Sequence, residues 1–421
     1  MNLWSMHTTG LSCMAAIPVS LVNHVVGRVL LVIYANSKTS RSMISGSNTN
    51  SKTIVATGLS YGALANDDHA KIAVQNALKK MHPCSVGSVL LFLTCGYAHK
   101  PKNAITLAAK TAGTPQIFGC CAMSLITEEE WLLDVEGAVA MVFPQELSLQ
   151  PLQLMRQQGI TPELLLTLTT PNASTIAVNS SDIRQIGSIT TDEYGHGPFS
   201  VWQSGRITEK EFSQIAFNTN IKSITRTAEG VRQISPIMKI TEADKHRLIA
   251  IEQSPALDNL LNNLPSNLRS IGLKQPYNLL CAISENTQLE SIQNGHYKLQ
   301  HIVANDDKNR HIHLSGSVKQ GQHIFWALRD EKAAEKEIQT QLISCLDELN
   351  SAKRSPLFSF MFPNIGRGAE FFNGIDRDYE NYCEYFPDVP MIGFYGNGEI
   401  SPGHELAGLI HRYSTVFSIF S

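Results

Sequence analysis

Two rhythms of apolar and polar positions run along most of this chain. Residues 89–93 and 138–143 are continuous apolar runs, the pattern of strands covered on both faces. Ala70, Ala73, Val74, Ala77, Leu78 and Met81 recur at three-and-four spacing behind Asp67-Asp68, and Ala104, Leu107, Ala108 and Thr111 do so behind Pro101. Both stretches predict helices with one face for a sheet. A strand at 53–60 precedes them, and a Pro-led strand at 114–119 opens into Cys120-Cys121. Residues 151–158 read as helical and 164–170 as β-leaning, while 199–203 and 206–208 flank Ser204-Gly205 as a hairpin.

In the second half, 237–240, 277–284, 297–303, 311–314 and 323–328 alternate with charge on one side, as in an antiparallel, half-exposed sheet. Residues 331–350 carry the stripe Ala334, Ile338, Leu342, Cys345, Leu346 and Leu349 of an amphipathic helix. Then come a buried strand at 357–362, a helix at 369–386, a strand at 390–395 and a closing strand at 411–420. The order helix, apolar strand, glycine turn, helix, Pro-led strand, gap, apolar strand thus occurs twice, over 71–143 and 332–420. This predicts an α/β (α+β-like) fold of two similarly built, pseudo-duplicated domains with mixed sheets flanked by helices. The expected division is 51–235 and 236–421, with 1–50 a poorly ordered or misassigned extension. That extension is apolar from 11 to 35, but Arg28 inside the run argues against a membrane span.

Composition narrows the function classes. At 421 residues with 43% hydrophobic and 17% charged positions, the chain can bury two cores. The net charge of -3 is spread without a basic block, which disfavours nucleic acid as a partner. Eight cysteines without a CxxC pair predict buried thiols in a cytoplasmic protein.

Candidate chemistry gathers at glycine-rich strand ends. The strand at 390–395 runs from Gly393 into Gly396-Asn397-Gly398-Glu399, and Gly366-Arg367-Gly368 stands upstream at the start of a helical pattern. N–H groups at a helix N-terminus beside a guanidinium favour an anion such as a ligand carboxylate, and Glu399 suits an ammonium. Arg367 and Glu399 would then hold both ends of an amino acid. The alternative is purely geometric, with a tight turn, a solvated Arg367 and a Glu399 that caps its own loop. The matching strand end in the first half offers Gly119, Cys120, Cys121 and Ser124, with packed thiols as the simpler reading. No CxxCH, HExxH, phosphate loop or Gly-x-Ser-x-Gly elbow is present, so no enzyme activity is expected. His296, His301, His311, His313, His323, His404 and His411 are the candidate haem ligands.

Gly366-Arg367-Gly368 and the block from Val389 through Gly396-Asn397-Gly398-Glu399-Ile400-Ser401-Pro402 resemble the C-terminal half of the FIST sensory domain. Phe118-Gly119-Cys120-Cys121-Ala122 and residues 195–207 are similar to its N-terminal part. The resemblance spans roughly residues 53–402. It implies a small-ligand-binding module of signal transduction, sensing an amino acid or similar metabolite and acting in trans on a histidine kinase, chemotaxis or other signalling protein. A second implication is a haem-based nitric oxide sensor regulating a histidine kinase. An F-box-linked branch exists, but no F-box-like helical segment precedes Thr53. A thiol-dependent enzyme using Cys121 or Cys95 is the remaining reading. Where many relatives carry a cysteine before the Gly-Arg-Gly turn, this chain has Phe362-Pro363-Asn364-Ile365. The pattern leaves the oligomeric state open.

Overall fold

The run that reads as a doubly covered strand, Val86–Thr94, is buried from Gly87 onward and lies inside its sheet. In the computed structural model, which describes residues 53–421 apart from 193, 267, 269–277 and 404–406, it pairs parallel with Ile117–Ala122 and antiparallel with Glu136–Pro144. Ala56–Gly62 then closes that side antiparallel. Helices Asp68–Lys80 and Lys102–Ala112 bury their alanine-rich faces on this sheet. The expectations for residues 1–50 and for His404 lie outside the described residues.

This arrangement occurs three times. The second copy runs Leu149–Pro151, helix Leu152–Gln157, Leu165–Thr169, helix Ser174–Asn179, Gln185–Ile189 and Phe212–Phe217. Its central pair is again parallel, with antiparallel neighbours on one side. The third runs Ser223–Ala228, helix Glu331–Ser351, Phe358–Pro363, helix Arg377–Tyr385, Met391–Phe394 and Thr415–Phe420, with the same pairings. The echo between 71–143 and 332–420 is therefore present, and residues 149–217 form a further copy that the pattern did not reveal.

A hairpin follows the third strand of each copy and joins a neighbour's sheet. Leu125–Thr127 of the first copy pairs with Met391–Phe394 of the third. Glu399–Ser401 of the third pairs with Gln185–Ile189 of the second, and Val201–Gln203 of the second pairs with Ile117–Ala122 of the first. This cyclic exchange locks three six-stranded sheets around one apolar centre. Phe143, Phe217 and Phe358, one from each copy, meet there with ring centroids 5.4 Å apart in every pair, in the edge and tilted geometries that aromatic rings favour. The helices cover the outer faces. Gly119, Gly187 and Gly393 occupy equivalent positions on the third strands. At each, a Cβ would run into the carbonyl oxygen of the central strand, at Leu91, Thr167 and Met361 respectively. Only glycine permits that approach.

Between Ser223–Ala228 and Glu331–Ser351 the chain makes an excursion, an antiparallel sheet assembled from eight strands within residues 231–329, around Trp326 and the helix Ala256–Asn263. The antiparallel reading of this region holds. Three local expectations do not. Residues 369–376 are not helical; the helix begins at Arg377, where Asp376 accepts the Tyr379 N–H at 3.0 Å as its cap. Gly366-Arg367-Gly368 therefore stands in a one-turn 3-10 segment and not at a helix N-terminus. The closing strand is broken at residues 412–414, where Tyr413 takes φ of 56°. Among the described residues, no helix is long and apolar enough to cross a membrane.

Candidate functional site

The parallel strands Phe358–Pro363 and Met391–Phe394 end side by side, so their loops meet. Ile365 donates to Gly396 O at 2.8 Å, and Gly396 donates to Pro363 O at 2.9 Å. Ser124 of the first copy joins them, its carbonyl accepting the Tyr395 N–H at 3.0 Å. From the second copy, Ile189 O accepts the Asn397 N–H at 3.0 Å, and the Ile189 N–H donates to Gly398 O at 2.8 Å. The turn at 395–398 is thus fixed by all three copies. Gly366, Gly368, Ser124, Asn397, Gly398 and Glu399 are brought together here. Gly119 and Gly393 lie one layer deeper, where the third strand of each copy pairs closely with the central one. Cys120 points into the common centre and Cys121 under the helices, and burial pushes both thiols well above the ordinary value.

Arg367 and Glu399 are both fully buried. The Arg367 guanidinium grips Asp378 with Nε at 2.6 Å and Nη2 at 3.2 Å. Its other donors go to the carbonyls of Ala228 at 2.9 Å, Ala334 at 3.3 Å and Tyr413 at 3.4 Å. Arg367 is therefore not solvated; it is half of a buried ion pair that ties three chain segments together. Asp378 also accepts from Thr415 Oγ1 at 2.6 Å. Tyr395 donates its hydroxyl to neighbouring Asp376, and burial followed by the Asp378 charge pushes the Asp376 carboxyl up to about 7.

Glu399 lies on a strand and not in a loop. It stands opposite Ser188, as Val201 stands opposite Cys120 and Leu125 opposite Phe394. A carboxylate thus fills a position that is aliphatic in the other two copies. Asn364 Nδ2 donates to one oxygen at 2.9 Å, and the Ser414 Oγ–H and N–H donate to the other at 2.8 and 3.3 Å. Asn364 also accepts the Gly366 N–H at 2.9 Å, which couples Glu399 to the Gly366 turn. These donors favour the anion, but burial outweighs them and raises the Glu399 carboxyl to about 8. Between about pH 4.5 and 8 the unfolded chain releases this proton while the folded chain keeps it, so the group costs stability as pH rises through that window. Glu399→Gln is expected to flatten the decline in unfolding free energy across that range, measured by urea titration; an unchanged slope would contradict the assignment.

Two hydroxyls beside this turn are buried and have no partner among the described residues, Ser124 Oγ and Thr190 Oγ1. Across the Gly366 loop, Arg329 donates to Gly366 O and packs over the rings of Tyr413, at 3.9 Å, and Phe371, at 4.7 Å. His301 meets Tyr413 edge-on at 4.9 Å, and burial with the Arg412 and Arg329 charges lowers its pKa to about 4. Arg329 and His301 belong to the 231–329 sheet, so that sheet touches the site loop directly.

Three side chains that sequence reasoning did not connect, naming His411 only as a candidate haem ligand, form a chain next to Glu399. Ser401 Oγ lies 2.8 Å from His411 Nε2, and His411 Nδ1 lies 3.1 Å from Glu229 Oε1. The only signal for it was a serine and a histidine ten residues apart just beyond Glu399. A cleft of about 110 Å³ lies far from all of this, at the opposite ends of the strands, lined by Leu149, Leu166, Ile186, Phe217, Phe360 and Phe420.

A FIST N domain model matches residues 88–254 and a FIST C domain model matches residues 254–402. The chain belongs to the FIST family. FIST domains are sensory domains of signal transduction. F-box only protein 22 of Homo sapiens is 29% identical over 105 residues, covering 21% of this chain and 25% of that protein. An uncharacterized protein of Mycobacterium tuberculosis is 24% identical over 206 residues, covering 47% of this chain and 51% of its own length. One from Mycobacterium bovis is 22% identical over 205 residues, covering 48% and 51%. The chain spans between a quarter and about half of the length of these curated relatives.

Proposed function

We propose that this FIST protein binds a small, amino-acid-like metabolite at the 395–398 turn and reports its presence to a separate signalling protein. The observation that carries this reading is the pair of buried, unpartnered hydroxyls, Ser124 Oγ and Thr190 Oγ1, beside the turn. Buried polar atoms left without a hydrogen bond cost free energy, and a polar ligand would satisfy them. In this reading Gly366, Gly368, Asn397 and Gly398 offer backbone close to the ligand. Arg367 and Glu399, already engaged with protein groups, hold the loops in their receptive geometry. A ligand that drew on either charge would loosen the Gly366 turn and shift Arg329 and Tyr413 with it. The 231–329 sheet would then carry the change to a partner, as a two-state element biased by the ligand. Native mass spectrometry of protein purified without stripping tests the reading. A retained mass in the range of a small metabolite, lost in a Ser124→Val variant, is the expected result. Bare protein under gentle conditions, with no mass recovered after incubation with free amino acids, would count against it.

A further inference from the structure

We propose that Ser401, His411 and Glu229 form an acyl-transfer site that hydrolyses a small, uncharged ester or thioester. The three side chains have the mutual geometry that such chemistry needs. A hydroxyl lies 2.8 Å from one imidazole nitrogen, and a carboxylate lies 3.1 Å from the other. Ser401 and His411 stand on the two strands of one hairpin, Glu399–Ser401 and Leu409–His411, and Glu229, the residue after Ser223–Ala228, reaches them from 182 residues earlier in the chain. Ser401 is 3% exposed and His411 and Glu229 about 9%, so the trio is shielded from bulk water while its edge reaches the surface. Thr227 Oγ1 donates its proton to Ser401 Oγ at 3.0 Å, which leaves the Ser401 proton to point at His411.

Ser401 Oγ attacks the acyl carbon, its proton passing to His411 Nε2. The bond from that carbon to the leaving oxygen or sulfur breaks, and His411 returns the proton to the departing alcohol or thiol. Water then adds to the acyl-serine, giving one proton to His411 and its hydroxyl to the acyl carbon, and Ser401 takes the proton back as the acid leaves. Glu229 touches no reacting atom; it positions the imidazole and stabilises it while protonated. Substrate class follows from charge and access. Glu229 and Glu337 are neighbouring buried carboxylates, with Glu337 accepting the Gly230 N–H at 2.6 Å, so an anionic acyl group would be repelled. The narrow exposure limits the acyl chain to a few atoms.

The test uses the full chain with a fluorophosphonate probe and p-nitrophenyl acetate. The expected result is one stoichiometric phosphonate adduct, mapped to Ser401, together with ester hydrolysis. Ser401→Ala abolishes both, and His411→Gln slows labelling by at least about 100-fold. Glu229→Gln slows labelling less than His411→Gln does, and Glu229→Asp recovers part of the rate, which loss of packing alone would not do. Thermal melting of each variant reports its folding. Because the adduct is sought first on the unsubstituted protein, absence of an adduct at Ser401 overturns the proposal whatever the variants do. Labelling of His411→Gln at the unsubstituted rate would also overturn it.

Discussion

Replacing Arg367 with methionine is expected to lower the unfolding free energy by about 3–5 kcal/mol, because it strands the Asp378 carboxylate in the interior. Asp378 is fully buried, and without Arg367 the described donor left to its carboxylate is the Thr415 hydroxyl at 2.6 Å. The loss also frees the carbonyls of Ala228, Ala334 and Tyr413 at once, which joins three segments in one failure. An Arg367→Met, Asp378→Leu double variant removes both charges and is expected to recover most of the loss, since well-packed apolar pairs commonly match buried ion pairs. Urea titration of the two singles and the double measures this. A single-variant loss below about 1 kcal/mol would return Arg367 to the role of a ligand-facing, solvent-screened cation.

Gly393→Ala is expected to yield no folded protein, while Gly368→Ala folds normally. Gly368 lies among the site loops and Gly393 one layer deeper, and geometry separates their responses. At Gly393 a Cβ would collide with Met361 O, a backbone atom of the central strand that cannot swing away, and the two strands would have to part. A cost above about 4 kcal/mol follows from such an overlap. At Gly368 a Cβ would meet Tyr395 Cε1 at 3.5 Å, an ordinary contact, and the change should stay within about 1 kcal/mol of the parent. Far-UV circular dichroism and thermal melting of both variants decide the matter; a well-folded Gly393→Ala protein would refute the close strand pairing at Gly393.

The central strands were legible because their apolar runs are long: Val86–Thr94, Glu136–Pro144 and Phe358–Pro363 admit little else. The second copy escaped notice for the opposite reason. Leu149–Pro151 is three residues long, and Leu152–Gln157 and Ser174–Asn179 are six each, too short for a periodic pattern to stand out. The exchange of hairpins was hidden as well, since it pairs Leu125 with Phe394 and Glu399 with Ser188 across some 200 residues or more. At the site, the glycine loops could be seen but the partners of their charges could not. Arg367 and Asp378 are eleven residues apart in a stretch whose aromatic spacing mimicked one helix, until the Asp376 cap showed where the helix begins. Asn364 was visible only as a departure from the family pattern. Ser414, Thr415 and Ser418 in an otherwise apolar closing strand were the available hint that this strand lies against buried polar groups.

The proposed function rests on one claim, that Glu399, standing where the other two copies have Val201 and Leu125, serves a ligand-responsive site. A thermal-shift titration of the protein against a panel of free amino acids and related zwitterions tests it most directly, because a ligand that binds only the folded state raises the melting temperature with its concentration. The account predicts at least one saturable stabilisation that Glu399→Gln abolishes while melting cooperatively on its own. Absence of stabilisation by every compound, or a shift of equal size in Glu399→Gln, would contradict it.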